Sequence, residues 1–310
     1  MNGAAARLTL RLNRFEFVTF GLLLVVAIIG SVLAAAHIAG LAPPVACFGP
    51  FMESRPASCD DASRGFYDAL STFGGPLNMA LVFLPFAAGL FLGVPIVGRE
   101  IERGTTRLAW SLAPSRWRWY LARLLPALAL VAVLSFLAGY AADRMLAAAE
   151  PGLDVEAAFD GFGLRGVVLA SRAVFVFTIG VAVGAIVGRL LPAIIITAIV
   201  AAVGIAGGTQ VHHRILAGEV VPVAQDAFRR GDLWMDTRFQ LPDGSLVGWD
   251  HFTDSDPYDQ FGVSRYPEFT MVVPGERYRL VETREGLVLA AGSLGALLIG
   301  GLVVARRRPG

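Results

Sequence analysis

The sequence GREIERGTTRLAWSLAPSRWRW, residues 98–119, is the densest charged stretch between two long apolar runs, and its reading decides how the chain is laid out. It holds Arg99, Arg103, Arg107, Arg116 and Arg118 together with Glu100 and Glu102. Ile101, Leu108 and Leu112 recur at helical spacing on one face. The stretch therefore reads as a short amphipathic helix with a turn at Gly104, Thr105 and Thr106, lying at a membrane surface. Trp117, Trp119 and Tyr120 follow, with rings that favour the headgroup level. Such a helix has two uses. It can anchor a bundle in the interface, or it can offer an apolar face and carboxylates to a partner.

The runs on either side make the membrane reading firm. Of the 310 residues 55% are hydrophobic and 16% charged, which is too apolar for a soluble domain of this length. Six runs are long enough to cross about 30 Å of hydrocarbon at about 1.5 Å per residue: 17–36, 76–98, 124–142, 166–188, 190–211 and 286–305. The first follows a basic start (Arg7, Arg11, Arg14) and is longer than a signal-peptide core, so it reads as a span. Pro85 and Pro95 should kink the second. The fourth and fifth are joined so tightly that they must form an antiparallel hairpin.

Charge fixes the orientation. With the N-terminus in the cytosol, the cytosolic segments hold 13 Arg against Glu16, Glu100 and Glu102. The three outer loops carry a net charge of −11. This asymmetry is the positive-inside signature and puts both termini in the cytosol. All 26 basic residues are Arg. A Walker A loop needs its Lys on the phosphates, so this chain holds no such nucleotide site.

The expected fold class is thus an all-α integral membrane protein of six transmembrane helices. A small extracytoplasmic loop domain lies between helices five and six. Its parts are an amphipathic connecting helix (1–15), helices one to five (16–208, with the cytosolic helix 99–119), the loop domain (209–284), and helix six with a basic tail (285–310). The turn at residues 241–245 predicts a β-hairpin in the loop domain. Trp234, Trp249, Phe252, Tyr258, Phe261, Tyr266 and Phe269 are its expected core. Pro274 should start the helix that runs into span six. Cys47 and Cys59 share the first outer loop, where the compartment permits a disulfide; two free thiols are the other reading.

Little points to catalysis. No HExxH, GxSxG or thiolate zinc cluster occurs. His212 and His213 are adjacent and do not face one metal together. Asp250, Asp254, Asp256 and Asp259 miss the EF-hand pattern. No metal site and no catalytic residue is expected. Arg172, inside the fourth span, has two readings: it snorkels outward to headgroups, or it lines a transport path.

The topology, and residues 99–110 reading Arg-Glu-Ile-Glu-Arg-Gly-Thr-Thr-Arg-Leu-Ala-Trp, resemble the type-2 ATP-binding-cassette (ABC) export permeases, most closely the versions common in actinobacteria. Their pattern is R-E-x-E-x-G-T-x-R-L-A-W with a Ser-Arg pair and a Trp after it, matched by Ser115, Arg116 and Trp117 or Trp119. The resemblance implies that this loop is the coupling helix docking on an ATPase, with Glu100, Glu102, Gly104, Thr105, Thr106 and Leu108 at the contact. It implies a second permease copy, ATP and Mg held by the partner rather than by this chain, and alternating access between two bundles. Membrane lipid is the other expected partner; nucleic acid is not. The acidic, aromatic loop domain departs from family members that keep only a short re-entrant segment there. That domain admits two rival readings: a complex that transmits force to an extracytoplasmic partner, and a membrane enzyme acting through the loop.

Overall fold

A computed structural model describes residues 14–44, 47, 58–106, 110–111, 115–255 and 266–307. Six helices are long and apolar enough to cross a membrane: Arg14–Gly40, Cys59–Glu102, Arg116–Ala149, Gly166–Val187, Leu190–Ala217 and Gly275–Arg306. Each covers one of the apolar runs read from the sequence, the fourth stopping one residue short at Val187. The helix expected over 1–15 lies outside the described residues up to Arg14, where the first helix begins.

We number the helices in chain order: α1 (Arg14–Gly40), then α2 (Ser58–Ala69), α3 (Gly75–Ala87) and α4 (Val94–Glu102), which together with two π-helical turns form the second span. The third, fourth and fifth spans are α5 (Arg116–Ala149), α6 (Gly166–Val187) and α7 (Leu190–Ala217). The chain divides into two compact units. Unit one comprises residues up to Gly152, Gly161–Ala206 and Glu282–Gly310; unit two comprises Leu153–Asp160 and Gly207–Val281.

In unit one, α6 is the axis. About 67% of its apolar window is buried, against 17% for the fifth span. Phe177, Val181 and Leu169 of α6 are fully buried, in one core with Leu84, Leu92, Tyr120, Leu124, Val131 and Phe20. What lets the second span approach so closely is glycine. Pro85 removes a backbone donor, and the helix opens into a π-turn over Ala88–Gly93. Gly89 and Gly93 on that turn, and Gly98 beyond it, face Gly180 and Gly184 of α6. A Cβ at Gly93 would stand 2.5 Å from the Phe177 carbonyl oxygen, and one at Gly184 would stand 2.7 Å from that of Val94. The two helices meet backbone to backbone, as small-xxx-small faces allow. Just past the seam, Gly188 takes the left-handed conformation (φ 65°) and stops α6 two residues before α7 begins. Phe175 of α6 then packs against Gly204 of α7.

Cys47 and Cys59 are bonded, with Cα atoms 5.6 Å apart, which ties the segment after α1 to the start of the second span.

Unit two holds a four-stranded antiparallel sheet in the order β1-β4-β2-β3, from β1 (Val221–Ala224), β2 (Leu233–Gln240), β3 (Leu246–Val247) and β4 (Glu268–Val273). The hairpin expected at 241–245 joins β2 to β3, pairing Phe239 with Val247. The Asp243 carboxylate accepts from the Ser245 hydroxyl (2.6 Å) and from its N–H (2.9 Å). Those bonds hold the carboxyl below its usual range. After β3 comes α8 (Trp249–Ser255), and after β4 a 3-10 turn behind Pro274 leads into α9 (Tyr278–Arg306), as the sequence suggested. The expected core needs correction. Trp234 is 58% exposed, because it shares the outward face of β2 with Asp236 and Arg238. Phe239, on the opposite face, is the centre instead, with Phe252 and Tyr266 around it. Trp249 is half exposed and meets Phe239 edge-on. Tyr258 and Phe261 lie outside the described residues. The sequence reading also left residues 153–160 in a separate loop. They belong to unit two, where the Phe159 N–H donates to the Gly231 carbonyl at 2.8 Å and its ring meets Tyr278.

The glycine seam predicts that Gly184→Val destabilises the bundle by about 1–3 kcal/mol or more, since the Val94 carbonyl cannot retreat without moving a helix. Gly295→Val, where a Cβ meets nothing within 4 Å, should leave thermal unfolding in detergent unchanged. Equal melting of the two variants would remove the seam as the packing determinant.

Candidate functional site

The described part of the stretch 98–119 sits where five spans end or begin. α4 stops at Glu102 because Gly104 adopts φ 70°, open to a glycine at little cost. The Gly104 N–H donates to the Ile101 carbonyl at 3.1 Å, and the Thr105 hydroxyl donates to that of Glu100 at 3.3 Å. Glu102, Arg103, Gly104 and Thr105 are exposed on this turn, whereas Thr106 is buried. Leu108 and Leu112, the other apolar positions of the expected helix, lie outside the described residues. Chain direction reverses into α5, whose first turn is capped by Ser115 accepting the Arg118 N–H at 3.1 Å.

Each of the two carboxylates expected at the contact has a partner within the chain. Glu100 points inward and pairs with Arg123 of α5 at 2.7 Å. Arg123 is only 8% exposed and lies over the Trp119 ring. Glu102 reaches α7, where it accepts the N–H of Leu190 at 3.1 Å and so caps the first residue of the fifth span. Glu100 Oε2, Arg123 Nη1 and the indole nitrogens of Trp110 and Trp119 are buried with no hydrogen-bond partner among the described residues. Groups in that state are the ones a rearrangement satisfies most cheaply.

The arginines here act as helix-end donors. Arg116 donates to the carbonyls of Ala305 (3.0 Å) and Arg307 (2.6 Å) at the end of α9, with Trp110 stacked beneath its guanidinium at 4.7 Å. Arg307 donates to Ala185 at the end of α6, 2.7 Å away. Arg99 pairs with Glu16 at the start of α1. The clustered positive charge therefore lies against the negative ends of helix dipoles.

The opposite end of unit one is organised by two glutamates that sequence reasoning passed over. Arg172 does not stand alone: its Nε and Nη2 donate to Glu285 at 2.9 and 2.6 Å, and Nη1 donates to the Gly163 carbonyl at 3.3 Å. Glu282, one turn earlier on α9 and 4% exposed, accepts the Val167 N–H at 3.0 Å and caps α6. Arg165, 3% exposed, pairs with Asp143 at 2.9 Å. The signal was present: two acids three residues apart at the mouth of an apolar run lie on one helix face, opposite two arginines seven apart.

The family model described as ABC-2 membrane transporter related matches residues 16–212, more than half of the chain. No curated protein and no solved structure matches it.

Because Arg172 and Glu285 are half-buried partners, removing one leaves a charge without its counter-ion. Arg172→Leu should cost about 3–5 kcal/mol, and the Arg172→Leu/Glu285→Leu double variant clearly less than that single change. A double-mutant cycle on thermal unfolding reads the coupling. Strict additivity would show that the two side chains act independently.

Proposed function

The chain belongs to the ABC-2 membrane transporter related family, and from that premise we propose that it is the permease subunit of an exporter, working as a dimer with a separate ATPase. Two permease copies would face each other across the transport path, with alternating access driven by the ATPase subunits. ATP and Mg belong to that partner, since the sequence carries no Walker A loop. The substrate class that fits an apolar bundle is a hydrophobic or amphipathic molecule moved outward. Both termini and the turn at 102–105 are cytosolic on this reading, and residues 209–284 are extracytoplasmic, following the distribution of arginine.

The observation that carries the reading is the exposed turn at the arginine-rich end of a family member, bonded through its carboxylates to two other spans. It offers a partner Arg103, Gly104 and Thr105 directly, and Glu102 in part. Arg172 enters transport through its pair with Glu285, which joins α6 to α9 beside the path. A second reading, force transmission to an extracytoplasmic partner, draws on the size of unit two. Substrate-stimulated ATP hydrolysis in the reconstituted complex separates the two.

Leu108→Ala should remove apolar contact worth about 2 kcal/mol and weaken ATPase retention roughly 30-fold. Arg103→Glu, an exposed position, should do so without altering thermal unfolding of the isolated permease. Pull-down of the ATPase at wild-type yield by the Leu108→Ala/Arg103→Glu protein would sink the docking reading while leaving the family intact. For orientation, cysteine in place of Ser255 should react with an impermeant thiol reagent in intact cells, and cysteine in place of Pro309 should not. The reverse pattern would invert the topology.

A further inference from the structure

In unit one the first three spans and the segment leading into α6 enclose a cavity of about 300 Å³, at the lower end of small-molecule sites. Missing side chains create it. The π-turn Leu70–Gly74 ends on Gly74, and Gly75 follows, so the helix presents two residues without bulk. A Cβ at Gly75 would meet nothing within 4 Å. The opposite wall is Ala142, Met145 and Leu146 of α5. The lining is apolar except for Ser31, Asn78 and Arg165. The Ser31 hydroxyl donates to the Ala27 carbonyl, and Arg165 is held by Asp143. Gly75 and Asn78 of the lining are exposed, so the cavity opens to the outside of the span.

Three facts narrow the occupant. An apolar cavity does not hold water well, and an empty one forfeits dispersion contacts. Arg165 already has its counter-ion at 2.9 Å, so the site does not call for an anion. Asn78 lies 20 residues before Gly98, about 30 Å along the helix, which places its carboxamide near the hydrocarbon boundary. A carboxamide at that level seeks an ester or hydroxyl partner. We propose that this cavity binds one acyl chain of an uncharged or zwitterionic amphiphile, its chain along the Ala142–Leu146 wall and its ester or hydroxyl oxygen at Asn78. The site stands independently of the exporter reading.

The test uses the full chain in nanodiscs of phosphatidylcholine, doped either with phosphatidylcholine bearing a diazirine on its acyl chain or with a fatty-acid methyl ester bearing the same group. After irradiation, labelling of the peptides holding Gly74 and Met145 should exceed that of lipid-exposed control positions Leu33 and Leu298. Labelling by the phospholipid assigns the bilayer as the source; labelling by the ester alone assigns a free amphiphile. Gly75→Trp places a ring into open space at a helical position, so it should fold as wild type and lose about tenfold in labelling, the effect of about 1.4 kcal/mol. Asn78→Leu, on an exposed position, should reduce ester labelling in the same direction. Labelling no higher than at the controls, or unchanged in both variants, would overturn the proposal.

Discussion

Everything in unit one depends on how near the second span can come to α6. In a bilayer there is no water to satisfy a displaced backbone group, and lipid tails are as apolar as the side chains they would replace. Association must come from close packing and from polar groups that meet inside the protein. The glycines at 89, 93 and 98 against those at 180 and 184 supply the first. The π-turn is part of the same solution: Pro85 cannot donate, the helix widens by one residue, and the widened turn is the one carrying Gly89 and Gly93. The site of the broken ladder and the site of closest approach coincide.

The charged ends follow from the same constraint. Each buried helix terminus needs donors or acceptors of its own. Glu282 serves the start of α6, and Glu102 the start of α7; Arg307 and Arg116 serve the ends of α6 and α9. The positive-inside asymmetry read from composition thus has a second, local cause: arginine on one side of this bundle also caps helices. Asp143 with Arg165 and Glu285 with Arg172 close the opposite side, so no described arginine within the fourth span is left without a carboxylate.

How much of this the sequence disclosed differs by element. The six spans were legible because an uncharged run of about 20 residues has few alternatives. Their true lengths were not: α5 extends from Arg116 to Ala149, well past the apolar run 124–142, because Arg123 at one end and Asp143 at the other are paired inside the protein. The Cys47–Cys59 bridge and the 241–245 hairpin were readable from compartment and turn chemistry. Trp234 was misread as core because hydrophobicity was weighed without the strand's alternation, which puts it beside Asp236 and Arg238. Glu100 and Glu102 stood out in the motif, while their partners within the chain, Arg123 and the Leu190 N–H, did not. A motif tells which residues matter and leaves open whether they face outward.

That last distinction changes how the turn at 102–105 transmits force under the proposed function. A carboxylate bonded only to an ATPase would be a handle and nothing more. Glu100 is anchored on Arg123 of the third span, and Glu102 on the first N–H of the fifth, while Gly104 leaves the turn itself free of side-chain packing. A push on Arg103 and Thr105 therefore enters the end of the second span, which the glycine seam locks to α6, and passes from that end to the third and fifth spans through two short polar links. The Glu100–Arg123 link has room to rearrange, since Glu100 Oε2 and Arg123 Nη1 are without a hydrogen-bond partner among the described residues. Motion should then carry the second span and α6 with the turn as a rigid pair, with the Glu100–Arg123 and Glu102–Leu190 links deciding whether α5 and α7 follow.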